Sequence, residues 1–258
     1  MQKRLPILAI IAIALAVPAW SQAPSDPVYA RLGLWDVERA GRADFEASAV
    51  RHIKPVLDRL FDDGVILEFG MDAADLHQED NFSHELWFSA SSLANLAHAT
   101  DALGAMEKGL SDSDRARMMG SVTRHEDSQV VSLIFRSRTA SISGGFSSST
   151  SETLKPGQGQ AYQQWFATNI QPVYEELMEQ GAVTAFGMDA DQIHSGSVNN
   201  RTVWQILPNA ESLDIVEGAF REAFPPDKMA QLLGRWSEIV DTEAHRDSTS
   251  RVLFYRVR

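Results

Sequence analysis

The sequence predicts an α+β protein in which two halves of one chain repeat the same order of strands and helices. Three observations lead to this prediction: an internal repeat, apolar residues at helical spacing, and apolar residues in strand alternation. The chain has 258 residues, of which 44% are hydrophobic. It can therefore bury the core of one large domain or two small ones.

The internal repeat matches residues 45–87 with residues 162–204 without a gap. Its strongest block, Phe-Gly-Met-Asp-Ala, occupies residues 69–73 and again residues 186–190. A match of this length and identity is hard to produce by chance. We therefore predict a tandem duplication of one structural unit.

Each half begins its repeat with an amphipathic helix. Apolar residues recur at three- and four-residue spacing from Phe45 in the first half and from Tyr162 in the second. Pro55 and Pro172 fall inside these two patterns. Proline removes a backbone donor and crowds the preceding turn, so we expect each helix to be kinked or broken there.

Strands and further helices complete each half. Alternating apolar residues predict a strand at 65–72, followed by a second strand around 85–89. A helix at about 92–108 and a shorter third helix lead to a closing strand at 130–135. The second half repeats these elements and ends with a strand at 251–255.

The opening strand is clear only in the first half, at 28–37. The equivalent segment, 142–154, is mostly Ser, Thr and Gly, so its composition suits a polar strand or a flexible linker equally. We favour the strand because the repeat requires one there. The resulting order of elements is the split β-α-β unit of a ferredoxin-like fold, with halves at 24–138 and 139–258.

The N terminus has the pattern of a secretory signal peptide. Lys3 and Arg4 precede an apolar run at 7–17, and Ser21 and Ala23 supply the small residues that a signal peptidase reads. As a helix the run would rise about 16 Å, which is short of the ~30 Å hydrocarbon core of a bilayer. We therefore expect cleavage after Ala23 and export to the periplasm or the medium.

Charge and cysteine content exclude several classes of protein. The formal net charge is −12, which argues against binding nucleic acid or an anionic membrane surface through bulk charge. The chain has no cysteine, so disulfides, thiolate metal sites and a cysteine nucleophile are excluded.

Over residues 28–258, the element order and the duplication resemble the dimeric α+β barrel superfamily, here with both halves in one chain. The resemblance implies two ferredoxin-like sheets that meet as a barrel, with helices outside and a small ligand in a cavity of each half. Members include cofactor-independent monooxygenases, muconolactone-type isomerases, stress-responsive barrel proteins, and the haem-binding chlorite dismutases and dye-decolourising peroxidases. Because the fold hosts many reactions, it does not by itself identify one.

The resemblance also implies what a haem site would need. Haem members of the superfamily hold the iron through a histidine on a helix of the C-terminal half. Here that half has only His194, in a predicted hairpin loop, and His245, at a predicted helix–strand junction. The sequence therefore argues against haem.

His52 is the candidate catalytic residue, and Asn169 is its equivalent in the second half. Both fall on the apolar stripe of the first helix of their half. A polar side chain directed inward must find a partner or line a wet cavity. His52 could act as a base because imidazole titrates near neutral pH, or it could be a hydrogen-bonded core residue.

The other candidates for ligand binding are polar and aromatic residues present in both halves, namely Asp72, His77, Trp87, Asp189, His194 and Trp204. Core packing would explain the two tryptophans equally well, and pinning of the hairpins would explain the histidines. Imidazole and carboxylate groups suit Zn²⁺ or Mn²⁺, but the spacing matches no known motif. No metal or other cofactor is therefore predicted.

The leading functional hypothesis is an exported barrel that binds a small, partly apolar molecule in an internal cavity. One alternative is a cofactor-independent oxygenase, isomerase or lyase with His52 as its base. The other is a stress-related or scaffold protein without chemistry. The sequence leaves open whether the protein is an enzyme and whether barrels assemble into homo-oligomers.

Overall fold

The computed structural model describes residues 27–75, 82–193 and 199–258. The predicted signal peptide therefore lies outside the described residues. The first half consists of β1 (Val28–Val37), α1 (Arg42–Ser48), a π-helical turn (Ala49–Ile53), α2 (Lys54–Asp62), β2 (Glu68–Ala74), β3 (His84–Ala90), α3 (Leu93–Lys108), α4 (Asp112–Met119) and β4 (Val122–Ser137). A short strand, β5 (Ala140–Ile142), follows. The second half consists of β6 (Phe146–Leu154), α5 (Gly159–Asn169), α6 (Gln171–Gln180), β7 (Ala185–Asp191), β8 (Asn200–Leu207), α7 (Glu211–Ala223), α8 (Pro226–Ile239) and β9 (Val240–Val257).

Eight of these strands close an antiparallel barrel. Their order is β2-β3-β1-β4-β7-β8-β6-β9, and β9 pairs back to β2. The same order of second, third, first and fourth strand therefore recurs in each half. The halves meet where β4 pairs with β7 and where β9 pairs with β2, while β5 adds to one end of β9. This is the α+β barrel architecture that the sequence predicts.

The predicted first helix of each half is interrupted. In the first half a π-helical turn separates α1 from α2, and in the second half α5 and α6 meet at Ile170. Pro55 and Pro172 lie in the first turn of α2 and α6, where the missing backbone donor costs little. The prolines therefore start new helices rather than bend continuous ones.

The closing strands are much longer than the apolar pattern predicts. β4 has 16 residues and β9 has 18, because their charged first halves also pair with β1 and β6. The backbone hydrogen bonds between strands do not depend on apolar side chains. These charged segments therefore lack the alternation of apolar residues from which a strand is predicted. His245, which was expected at the junction before the last strand, consequently lies within β9, and His125 lies in the same part of β4.

The polar segment that was predicted as a strand or a linker is a strand. β6 spans Phe146–Leu154 and pairs with β8 on one side and β9 on the other. Its alternate serines, Ser147, Ser149 and Ser151, line the barrel interior. The interior is polar at this wall, so the strand has no need of apolar residues there.

The apolar core forms three clusters. One lies between the helices of the first half and the sheet, around Phe45, Leu57 and Met71, and a second occupies the same place in the second half. The third cluster includes Val252 and Tyr255, on the inner face of the barrel. None of the helices in the described ranges is long and apolar enough to span a bilayer.

Candidate ligand-binding cavity

The barrel encloses a cavity of about 470 Å³. The third apolar cluster fills part of the interior, and the remaining space has walls of two kinds. Leu32, Leu34 and Val130 form an apolar wall on β1 and β4. Hydroxyl groups form much of the wall on β6 and β9, from Ser147, Ser149, Ser151, Ser248 and Ser250, and Ser128 and Ser132 flank Val130 on β4. The cavity can therefore contact both apolar and hydrogen-bonding parts of a ligand.

The two repeated tryptophans line this cavity, and each lies against a glycine. Trp87 on β3 pairs across the sheet with Gly70 on β2, and Trp204 on β8 pairs with Gly187 on β7. A Cβ atom on either glycine would overlap the neighbouring indole. Glycine at these positions thus makes room for the ring. Both tryptophans also contact the third apolar cluster. Each ring therefore packs against the core and lines the cavity at the same time.

Asp191 on β7 and Asp247 on β9 line the cavity, together with four further carboxyl groups, from Glu68 and Asp72 on β2, Glu85 on β3 and Asp189 on β7. Glu68 accepts a hydrogen bond of 2.7 Å from the hydroxyl of Tyr255. Asp72 accepts one from Ser147. The interior is therefore acidic as well as rich in hydroxyl groups.

Asp189 is held by one of the cavity tryptophans. Nε1 of Trp204 donates a hydrogen bond of 2.8 Å to Oδ2 of Asp189. Only 7% of Asp189 is exposed, and within the described chain its Oδ1 atom is buried without a hydrogen-bond partner. Oδ1 of this buried carboxyl group thus accepts no well-aligned hydrogen bond from a described residue, although the nearby hydroxyl of Ser132 lowers the pKa of the group.

Burial raises the pKa of all four carboxyl groups, because the charged form loses its hydration. It raises the pKa of Glu68 to about 8, although the hydrogen bond from Tyr255 opposes the shift. It raises the pKa of Glu85 to about 8 as well, and the neighbouring charges of Asp72 and Asp189 add to the shift. Both groups therefore retain protons at neutral pH.

The two aspartates are shifted less. Burial raises the pKa of Asp72 to about 7, and hydrogen bonds from Ser147 and Ser250 limit the rise. Burial raises the pKa of Asp189 to about 6, and hydrogen bonding from Ser132 and from Trp204 limits the rise. The cavity therefore holds groups that exchange protons between pH 6 and 8, which is the range that acid–base chemistry near neutral pH requires.

Of the residues predicted from sequence, the structure brings together Asp72, Trp87, Asp189 and Trp204. His77 and His194 lie outside the described residues. The prediction that these residues bind ligand is not tested by the fold alone. What the structure adds is that the four described residues share one cavity.

His52 and Asn169 do not line the cavity. His52 lies in the π-helical turn, with its Nε2 atom 3.8 Å from Oδ1 of Asp114 on α4. Asn169 ends α5, and its Nδ2 atom donates a hydrogen bond of 2.8 Å to the carbonyl of Trp165. Each polar group thus has a partner on the helical layer, and a role for His52 as a base stays a prediction.

Sequence reasoning missed Glu68 and the serine wall. The signal for Glu68 was its position on the same strand face as Asp72, four residues away. The serines of β6 gave no such signal, because residues 147–151 are all Ser or Thr and show no alternation between the two faces of the strand. The repeat itself hides Glu68, because its counterpart in the second half is Ala185.

Solved structures of other proteins share this fold at low sequence identity. A proposed monooxygenase from Fusobacterium nucleatum subsp. nucleatum superposes with a TM-score of 0.66 at 8% identity, covering 90% of this chain and 95% of that one. One from Lactobacillus acidophilus NCFM gives 0.61 at 10% identity, covering 90% and 96%. An anthrone oxidase-like protein gives 0.51 at 9% identity, covering 91% and 94%.

No protein-family model matches the chain, and no curated protein matches it by sequence. The fold is nevertheless clear: the chain has the dimeric α+β barrel fold, with both halves in one chain, and it shares that architecture with the proteins on which it superposes. At these identities the likeness shows the fold alone, so function has to be argued from the cavity.

The prediction against haem is wrong for this fold. Structures that share it include one described as a chlorite dismutase, with a TM-score of 0.48 at 10% identity, and a haem-binding protein from Thermus thermophilus, with 0.46 at 12%. Helices α5 to α8 of this chain carry no histidine. His245 lies in β9, with its Nε2 atom 3.1 Å from Oδ2 of Asp247. The described residues thus do not fit a haem bound through a histidine on a C-terminal helix.

A metal site is not formed by the described residues either. Across residues 27–75, 82–193 and 199–258, no three acidic or histidine side chains are grouped so that they could hold a metal ion. The four cavity carboxyl groups therefore interact through their charges without converging on one point.

Proposed function

We propose that the protein is an exported α+β barrel that binds a small, partly apolar molecule in the barrel cavity. The observation that carries this proposal is the cavity of about 470 Å³ with one apolar and one polar wall. Ligand pockets of about 300–1,000 Å³ commonly combine an apolar lining with a few placed polar groups. A scaffold without a ligand would not need this space, since protein interiors are otherwise closely packed.

The duplication and the export belong to the same proposal. The shared strand order and the repeated Gly–Trp pairs support an origin of residues 24–138 and 139–258 from one duplicated unit. The basic start, the apolar run and the small residues before position 24 support cleavage after Ala23. The partner is then a small molecule met outside the cytoplasm, without nucleic acid or membrane.

A second candidate function is acid–base catalysis on that molecule. It is favoured by Asp72 and Glu85, whose pKa values of about 7 and about 8 suit proton transfer near neutral pH. A cofactor-independent oxygenase, isomerase or lyase needs such a group beside its substrate. His52 lies away from the cavity, so in this candidate the carboxyl groups take the role of the base.

Native mass spectrometry of the mature protein, purified from its own host, tests the proposal. We expect the wild type to retain a small molecule that is lost under denaturing conditions. Ser149→Phe, which fills the cavity wall, should lose it, whereas Ser237→Phe on the exposed face of α8 should keep it. Metal analysis of the same samples identifies a bound ion.

The neutral fluorescent probe N-phenyl-1-naphthylamine provides a second measurement if the ligand is lost during purification. We expect it to bind the wild type and Ser237→Phe, and to bind Ser149→Phe at least tenfold more weakly. A wild-type protein that has no retained molecule and does not bind the probe would contradict the proposal.

A further inference from the structure

We propose that the cavity ligand is an organic cation, with a positively charged nitrogen against Asp72, Glu85 and Asp189 and an apolar body against Leu32 and Leu34. This inference rests on the proposed function, because it names the class of molecule that the same cavity binds. Its first support is the charge of the lining.

The charged side chains that face the cavity are mostly acidic. Glu68 and Asp72 come from β2, Glu85 from β3, Asp189 and Asp191 from β7, and Asp247 from β9. Arg246 on β9 is the one arginine or lysine among the lining residues described, and His84 on β3 lines the cavity as well. Several carboxyl groups in a space of low polarity repel one another and lose hydration. A bound cation would offset both effects, whereas a bound anion would increase them.

Asp189 supplies a second, independent observation. Its carboxyl group lines the cavity, 7% of the residue is exposed, and Oδ1 is buried without a hydrogen-bond partner among the described residues. A buried acceptor of this kind is costly unless a donor reaches it. An ammonium group carries up to three N–H donors and no acceptor, so it matches this oxygen in charge and in hydrogen bonding.

The difference between the two halves supports a binding role for the acidic groups. Asp72 and Asp189 occupy equivalent positions, but Glu68 and Glu85 correspond to Ala185 and Thr202 in the second half. A carboxyl group needed to build the barrel would be expected in both halves. The two glutamates are instead additional charges on one side of the cavity.

The rest of the lining favours an organic cation over a metal ion. No three acidic or histidine side chains in the described chain are grouped to hold a metal. Leu32, Leu34 and Val130 instead offer an apolar wall, and Trp204 offers an indole ring next to the carboxyl group of Asp189. An indole attracts cations and packs well on apolar or aromatic groups.

This arrangement has a consequence for pH. Loss of hydration in the cavity raises the pKa of Asp72 to about 7 and that of Glu85 to about 8. A cation favours the ionised form, so its binding expels protons, and its affinity should rise as the pH increases from 6 to 8. The other facing groups are Glu68, Asp189, Asp191, Asp247 and Arg246, together with His84 of β3. The cavity residues from β1, β4, β6 and β8 carry no charge.

Three probes of nearly equal shape test the inference: 1-naphthylmethylamine, which is cationic, 1-naphthylmethanol, which is neutral, and 1-naphthoate, which is anionic. Titration calorimetry at pH 8 should show the amine binding at least tenfold more tightly than the alcohol, with the naphthoate weakest. Repeating the amine titration at pH 6 should show a loss of affinity of at least fivefold. Two buffers of different ionisation enthalpy should reveal proton release.

The variant Asp72→Asn/Asp189→Asn separates the inference from the proposed function. We expect it to bind the alcohol as the wild type does and to lose the preference for the amine. The matched control, Glu222→Gln on the exposed face of α7, should keep the preference. If the wild type binds the alcohol and the amine equally, or prefers the naphthoate, the cation is ruled out and the ligand cavity stands. If no probe binds and native mass spectrometry finds no ligand, the organic cation and the proposed ligand-binding function are both overturned.

Discussion

The indole of Trp204 occupies the space that a side chain on Gly187 would need: a Cβ atom added there would lie 2.5 Å from Cζ2 of the ring. The two residues are register partners on β7 and β8, and Gly70 and Trp87 repeat the relationship on β2 and β3. The glycines are therefore required by a neighbouring ring, since neither has a backbone conformation that demands glycine. They position the tryptophans at the cavity.

Gly70→Ala should destabilise the protein by about 2 kcal/mol, because the added methyl group forces the Trp87 ring out of place in a packed interior. Urea denaturation followed by circular dichroism measures the change. Trp87→Leu in the same chain should recover part of the loss, since it removes the clash. Gly104→Ala is the matched control: a methyl group there meets no atom within 4 Å and should stabilise α3 by up to about 1 kcal/mol. Equal stability of Gly70→Ala and the wild type would contradict the clash.

The repeat explains how much of this site the sequence could predict. The matched segments 45–87 and 162–204 identified a strand, a tryptophan and an aspartate in both halves, because a sequence repeat marks the positions that the two halves share. Glu68 escaped because it has no counterpart. The cavity itself could not be predicted, since it arises from the closure of β4 on β7 and β9 on β2, which are long-range pairings. The full length of β4 and β9 could not be predicted either, because it depends on long-range pairing with β1 and β6.

Stability should fall as the pH rises from about 5 to 8, because folding places Glu85 in the barrel interior, where its charged form loses hydration. Its ordinary pKa is 4.5 and the folded protein raises it to about 8, so between these values the folded state binds more protons than the unfolded state. The stabilising effect of the proton is complete below the ordinary pKa and is lost as the pH passes through the raised one. Glu85→Gln removes the part of this dependence that comes from Glu85, while the parts from Glu68, Asp72 and Asp189 remain. The variant should be more stable than the wild type by about 2–4 kcal/mol at pH 8.

Urea denaturation at pH 5 and pH 8 measures this effect. At pH 5 Glu85→Gln and the wild type should differ little, because the carboxyl group is then protonated in the folded protein. Glu222→Gln, at an exposed position, should follow the wild type at both pH values. If the free energy of unfolding of Glu85→Gln depended on pH as that of the wild type does, ionising Glu85 in the folded protein would cost little free energy.

Trp204→Phe should cost about 1–3 kcal/mol, because it leaves Oδ2 of the buried Asp189 without its indole donor. The hydrogen bond from Trp204 lowers the pKa of Asp189, so its loss should raise that pKa further, and the destabilisation should be larger at pH 8 than at pH 5. Thermal unfolding at the two pH values provides the measurement. Trp165→Phe is the control, because Nε1 of Trp165 is buried without a partner within the described ranges. Similar losses in the two variants would assign the effect to ring size alone.

Arg256 connects the two halves of the barrel, since it lies on β9 and bonds to two carboxylates of α2. Its Nη1 atom is 2.7 Å from Oδ1 of Asp58, and its Nη2 atom is 2.9 Å from Oδ1 of Asp62. Burial alone would raise the pKa of Asp58, but the hydrogen bonds from Lys54 and Arg256 outweigh it and hold that pKa below its usual range. The stabilisation is thus present above the ordinary pKa of 3.8 and is lost as the pH falls below it.

Arg256→Gln should therefore destabilise the protein by about 1–2 kcal/mol at pH 7 and by less at pH 3. Arg136, the equivalent residue on β4, provides the comparison: its Nε atom is 3.8 Å from Oε1 of Glu175, without a hydrogen bond between them. Arg136→Gln should cost at most about 1 kcal/mol in the same urea titration. If Arg136→Gln were as destabilising as Arg256→Gln, the short bonds of Arg256 could not be the cause. The contacts that both residues share at the β9–β2 and β4–β7 junctions would then account for the loss.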